Sequence, residues 1–119
     1  MPWELDSDRP IYAQIVDRLK HEIVSGFYPP GSRLPSVRDL AAQASVNPNT
    51  MQKAFTELER TGLIVTRRTS GRTVTEDTAL IEQVRSELAE LQISQFLTRM
   101  QHLGYQKDDS IRLPLAKKE

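Results

Sequence analysis

Behind Asn47 and Pro48, the residues Asn49, Thr50, Gln52 and Lys53 gather amide, hydroxyl and ammonium groups within five positions. Donors and acceptors at that density suit the reading of base edges, since Gln pairs with adenine and Lys with guanine or a phosphate. Arg67, Arg68 and Arg72 surround the run Thr69, Ser70, Gly71 and add cations suited to phosphates or a minor groove. The plain alternative for both groups is a solvated surface. Catalytic chemistry has far less support. The sequence holds no cysteine, which excludes disulfides, thiolate metal sites and a cysteine nucleophile. His21 and His102 have no second ligand at metal spacing, so no metal site is expected. With no nucleophile signature, no paired carboxylates and no glycine-rich phosphate loop, neither an enzyme nor a cofactor is expected.

Such residues act only if regular elements hold them. In "RPIYAQIVDRLKHEIVSG", Pro10 suits a first helical position, and Tyr12, Ile15, Val16, Leu19 and Ile23 recur at steps of three and four up to a stop at Gly26. Tyr12 reads as a packing residue, as does Trp3. "FYPPGSRLP" reads as an ordered connector rather than a helix or strand. Ser36, three residues before Asp39, starts a second, short helix with Val37, Leu40, Ala41 and Ala44 on one face. Asn47 as N-cap and Pro48 as first residue predict a third helix, ended by Gly62, with Met51, Ala54, Phe55 and Leu58 inward and Asn49, Gln52, Lys53 and Thr56 outward.

Two short helices joined by a tight turn form a helix-turn-helix, whose second helix enters the major groove. The β-rich runs "LIVTRR" and "RTVT" around a polar turn predict a hairpin, and the set describes a winged helix. The expected fold is therefore mostly α with one small β-hairpin: a winged helix-turn-helix domain over residues 1–75 and a helical region over 76–119. Thr78 suits the cap of a long helix through Leu103, stopped by Gly104, and a brief further turn is expected over Asp109–Leu113. The apolar stripe Leu80, Ile81, Val84, Leu88, Leu91, Ile93, Phe96, Leu97, Met100 and Leu103 spans about 35 Å at 1.5 Å per residue. That is more than a small domain covers, so a partner helix and a homodimer are expected over a helix folded back on its own domain.

Charge divides in the same way. The formal net charge is zero, but residues 32–75 carry seven bases against three acids, and residues 76–119 carry six against eight. A basic module followed by an acidic one fits a nucleic-acid partner for the first. No stretch has the eighteen or so apolar residues of a membrane span, and "MPWELDSDRPIYAQ" lacks the order of a signal peptide, so a cytoplasmic protein without a membrane partner is expected.

Over Pro10 to Val74 the sequence resembles the DNA-binding domain of the GntR family of bacterial transcription regulators, through the blocks "PPGSRLPSVRDLA", "VNPNT" and "LERTGLI" in that family's order and spacing. The short remainder is similar to the YtrA subfamily, whose small C-terminal helical region dimerises and holds no large effector domain. The resemblance implies a repressor of a nearby operon, often one for an ABC transporter, bound to a near-palindromic duplex operator. Its DNA contacts fall on Arg38, on Asn49, Thr50, Gln52 and Lys53, and on the wing residues 67–72. Ser36 and Asn47 cap helices whose amide groups meet phosphates. Two departures stand out: Thr69 replaces a frequent wing-tip glycine, and Pro48 replaces an arginine that contacts bases in some relatives. Asn49, Gln52 and Lys53 then carry more of the specificity. A small-molecule effector is not indicated. The competing function is a winged helix that serves protein contacts.

Overall fold

The computed structural model describes residues 3–109 and residue 112. Helices α1 (Ile11–Val24), α2 (Val37–Ala44) and α3 (Pro48–Arg60) are followed by strands β1 (Ile64–Arg67) and β2 (Gly71–Val74) and by the long helix α4 (Thr78–His102). The chain is a winged helix-turn-helix followed by C-terminal helix, mostly α with one hairpin.

The core follows from the periodicity. Ile15, Leu19 and Ile23 of α1, Leu40, Ala41 and Ala44 of α2, and Met51, Ala54, Phe55 and Leu58 of α3 are all buried, with α3 packed against α1, α2 and β1. Leu63, Ile64 and Val74 close the core from the hairpin side. Burying Phe55 completely stabilises the fold by about 1.5–3 kcal/mol relative to leaving it exposed.

Helix ends follow local chemistry, with two one-residue corrections. Pro10 is the N-cap of α1, at ψ 131°, rather than its first helical residue. Asp77, not Thr78, caps α4: its carboxylate accepts from the Leu80 N–H at 3.1 Å, while Thr78 is the first helical residue. At the other end of α4 the Tyr105 N–H reaches the Met100 carbonyl at 3.1 Å and the Gly104 N–H reaches that of Gln101 at 2.9 Å. Gly104 has the positive φ, 96°, that this Schellman cap requires.

The connector expected to be neither helix nor strand is neither, and it borders the sheet through one isolated bridge at Arg33. Ile64 pairs with Val74 and Arg67 with Gly71 across the hairpin, and residues 31–34 run along the far side of β2. Gly31 donates to Val74, Val74 to Ser32 and Leu34 to Arg72, each at 2.9 Å, and Arg33 bridges Thr73. The edge of β2 would otherwise present unpaired backbone groups, and the four residues between Pro30 and Pro35 each keep the N–H that proline lacks.

Contacts divide the chain into two compact units, with the break between Val84 and Arg85, inside α4. The first unit includes the opening turns of α4, where Ile81 is buried and Leu80 lies against Gly62. Within it, burial raises the Glu22 carboxyl above its ordinary value of 4.5, while Arg18, 3.8 Å away, opposes the shift. Glu22 Oε1 is buried without a hydrogen-bond partner.

In the second unit the apolar stripe changes side. The step from Leu91 to Ile93 breaks the three-four rhythm. At 3.6 residues per turn, Ile93, Phe96, Leu97, Met100 and Leu103 centre roughly 140° round the helix from Leu88 and Leu91. Leu91, Ile93 and Leu103 are 53%, 59% and 72% exposed, and Phe96, Leu97 and Met100 half-buried. Of the turn expected over Asp109–Leu113, Asp109 and Arg112 are helical, with Arg112 donating to Asp109 at 3.0 Å; residues 110, 111 and 113 lie outside the described residues.

Candidate nucleic-acid interface

The turn between α2 and α3 sets the direction of α3. Ser36 caps α2 by accepting from the Asp39 N–H at 3.0 Å, and Asn47 caps α3 by accepting from the Asn49 N–H at 2.8 Å. Between the helices Ser45 takes the left-handed conformation, φ 59°, ψ 46°, which lets the Val46 N–H reach back to the Ala41 carbonyl at 3.0 Å. Serine accepts this geometry at a small steric cost because its turn satisfies backbone groups that α2 would leave open.

On α3 the apolar face is wholly buried, and Asn49, Gln52, Lys53 and Thr56 are exposed, with Thr50 half-buried. Their side chains differ in freedom. The Gln52 amide donates to Thr56 Oγ1 at 3.2 Å, which orients it along the helix. The Lys53 ammonium sits 3.9 Å from the centroid of the Tyr12 ring. Arg38, near the start of α2, is exposed.

The wing arginines also divide. Arg67 and Arg68 are exposed at the tip with Thr69, whereas Arg72 is half-buried and its Nε lies 3.2 Å from Glu59 Oε1. Thr66 donates to the other oxygen of Glu59, and the Arg72 guanidinium lies 5.4 Å from the Phe55 ring centroid. One carboxylate on α3 thus ties both strands to the reading helix, and the cation best placed to do so is Arg72. Gly71 begins β2 at φ 74°, and a Cβ there would stand 3.8 Å from Arg33 Nε. A cleft of about 300 Å³ between the wing and α2 is lined by Arg33, Leu34, Pro35, Ser36, Asp39, Gly71 and Arg72.

The structure therefore brings Ser36 and the wing residues Gly71 and Arg72 to one cleft, and sets Asn49, Gln52 and Lys53 on one exposed helix face. Three residues had not been singled out for these places: Glu59, Arg33 and, in this role, Tyr12. Glu59 had a sequence signal in the alternating charge of "LERTG", but its partner lies thirteen residues away. Among the described residues no cluster of His, Cys, Asp or Glu could hold a metal, and no helix is long and apolar enough to cross a membrane.

Comparison with known proteins agrees with this arrangement. The family profile "Bacterial regulatory proteins, gntR family" matches residues 11–74. An uncharacterised HTH-type transcriptional regulator of Bacillus subtilis (strain 168), YhcF, is 35% identical over 91% of this chain and 89% of its own length. The HTH-type transcriptional repressor YtrA of the same organism is 40% identical over 82% of this chain and 76% of its own. Among solved structures, a GntR family transcriptional regulator from Listeria monocytogenes superposes with a TM-score of 0.85 at 40% identity, covering 96% of this chain and 100% of that one. The DNA-binding domain of AraR in complex with operator ORX1 has a TM-score of 0.54 at 26% identity, covering 63% of this chain and 92% of that one. A capped reading helix with a bare polar face, a wing tied to it by Glu59, and these matches over the same residues lead to one conclusion: the chain belongs to the GntR family of bacterial regulatory proteins, as a transcriptional regulator with a DNA-binding helix-turn-helix.

Proposed function

We propose that the protein is a homodimeric repressor of the YtrA type, acting in the cytoplasm on a near-palindromic operator beside the operon it controls, an ABC-transporter operon being the kind the resemblance implies. The observation that carries this reading is the exposed polar face of α3, which carries Asn49, Gln52 and Lys53. Asn49, Thr50, Gln52 and Lys53 read base edges and flanking phosphates. Arg38 and the amide groups behind Ser36 and Asn47 hold the backbone, and residues 67–72 form the wing contact, with Arg67 and Arg68 reaching furthest. The operator complex of AraR supports duplex DNA as the ligand, and the name of the YtrA relative supports repression.

Dimerisation is assigned to α4, from Val84 through Leu88 and Leu91 to Phe96, Leu97, Met100 and Leu103, while Leu80 and Ile81 of the expected stripe pack within the first unit. The exposed Leu91, Ile93 and Leu103 support a partner for the later half of that helix. The boundary between the DNA-binding and dimerising functions is placed near residue 75. The reading assigns no catalysis and calls for no cofactor or metal.

Selection from random duplexes by the purified protein at near-physiological salt tests it. An enriched inverted repeat is expected, its half-sites about one helical turn apart. Gln52→Ala is expected to relax preference at one or two bases of that repeat. Absence of any enriched sequence would overturn the operator reading and leave the winged helix to a protein partner.

A further inference from the structure

Tyr12 lies in the first turn of α1, half-buried, and its ring face carries the Lys53 ammonium at 3.9 Å from the centroid. Beside this pair, Ile11, Tyr12, Asn49, Thr50 and Lys53 line an open cleft of about 480 Å³ between the start of α1 and the first turns of α3. The reading helix therefore borrows part of its binding surface from a helix outside the helix-turn-helix.

The pairing differs in kind from that of Arg72. A carboxylate offsets the charge of its partner, and Glu59 engages the Nε of Arg72 at 3.2 Å. An aromatic face attracts an ammonium through its quadrupole and leaves the full charge in place. The N–H bonds of Lys53 that point away from the ring stay available to an acceptor. An unpartnered lysine, by contrast, loses the freedom of four side-chain torsions when it is fixed against a ligand. A lysine already standing on a ring has given up part of that freedom beforehand.

We infer that Tyr12 is a positioning residue for DNA binding: it holds the Lys53 ammonium in place, still charged, to meet an acceptor oxygen of the duplex, either a phosphate or guanine O6. The inference rests on the DNA-reading face proposed above. It makes α1 a contributor to recognition and gives Tyr12 a role beyond packing.

A double-mutant cycle on the full chain tests it, with a labelled duplex bearing the most enriched selected sequence as the probe. Tyr12→Leu keeps an apolar side chain and removes the ring; affinity is expected to fall by about two- to fivefold, the lower part of the range for ordering a rotamer-rich side chain on binding. Tyr12→Phe is expected to bind like the parent. In a Lys53→Met background, Tyr12→Leu should have no further effect. If Lys53→Met falls with a shallower salt dependence the acceptor is a phosphate, and if it relaxes preference for a guanine the acceptor is that base.

Equal loss from Tyr12→Leu with and without Lys53 would overturn the inference, as would a loss from Tyr12→Phe equal to that from Tyr12→Leu, or tighter binding by Tyr12→Leu, which would make the ring a trap for the lysine. No effect of Lys53→Met in a protein that binds DNA would also overturn it, while a parent protein that binds no duplex would overturn the function itself. Should Tyr12→Leu fail to fold, NMR of the unaltered chain decides: the Lys53 ε-methylene protons are expected upfield of their free-lysine position through the ring current, and unshifted protons would reject the placement.

Discussion

In α3, Met51, Ala54, Phe55 and Leu58 are all buried beneath α1, α2 and β1, whereas in α4 beyond Arg85 the residues Leu91, Ile93 and Leu103 stand in the open. Both helices carry apolar residues at helical spacing, so spacing alone does not separate them. What separates them is the supply of cover. The first unit folds three helices and a hairpin around one shared centre, and each helix finds its partners within about fifty residues of chain. The second has, among the described residues, the later part of α4 and a short helical turn, and after Leu91 its apolar residues move to a new side. A covered stripe marks a core, and an uncovered one leaves apolar surface facing solvent.

The sharpest way to test this contrast is to empty the covered side. Phe55→Ala removes a fully buried ring at the point where the core residues of α3 meet the hairpin and is expected to destabilise the first unit by about 3–5 kcal/mol. Urea unfolding followed by circular dichroism reads it; a loss under about 1 kcal/mol would mean the core is looser than its burial indicates. On the uncovered side, Ile93→Lys combined with Leu97→Lys is expected to change the stability of the first unit by no more than about 0.5 kcal/mol, yet to convert a dimer to a monomer by light scattering. Affinity for a duplex with two half-sites should fall by about a hundredfold with the loss of bivalent attachment. A first unit destabilised by this variant would break the comparison, because the stripe would then be covered by its own domain.

The smallest effect concerns Glu22, a poorly satisfied group of the covered unit. Burial raises the Glu22 carboxyl above 4.5, so its ionisation disfavours the folded state, and this cost appears as pH rises through the raised value. Glu22→Gln should therefore melt at a higher temperature than the parent at pH 7, and the difference should disappear well below pH 4.5, where both side chains are neutral. A difference that persisted in acid would assign the effect to the Arg18 contact or to packing instead.

Much of the first unit was legible in the chain. The caps Ser36 and Asn47, the proline at position 48 and the outward set Asn49, Gln52, Lys53 all depend on neighbours one to four residues away, and the structure has each where local chemistry puts it. What escaped the sequence depends on residues distant in the chain. The stretch 31–34 borders β2 because that strand, forty residues later, had an open edge. Arg72 looked equivalent to Arg67 and Arg68 until folding brought Glu59 beside it. Tyr12 looked like one more core residue until Lys53 settled on its ring.

The sequence by itself determined which segments are helices, where they begin and end to within about a residue, and which chemical groups lie on the face of α3. Those are short-range matters, governed by hydrogen bonds and side-chain spacing within a turn or two. Only the tertiary structure decided which of those charged groups stay free. A cation's availability depends on whether a carboxylate or a ring comes within a few ångströms, and that is set by how helices and hairpin pack.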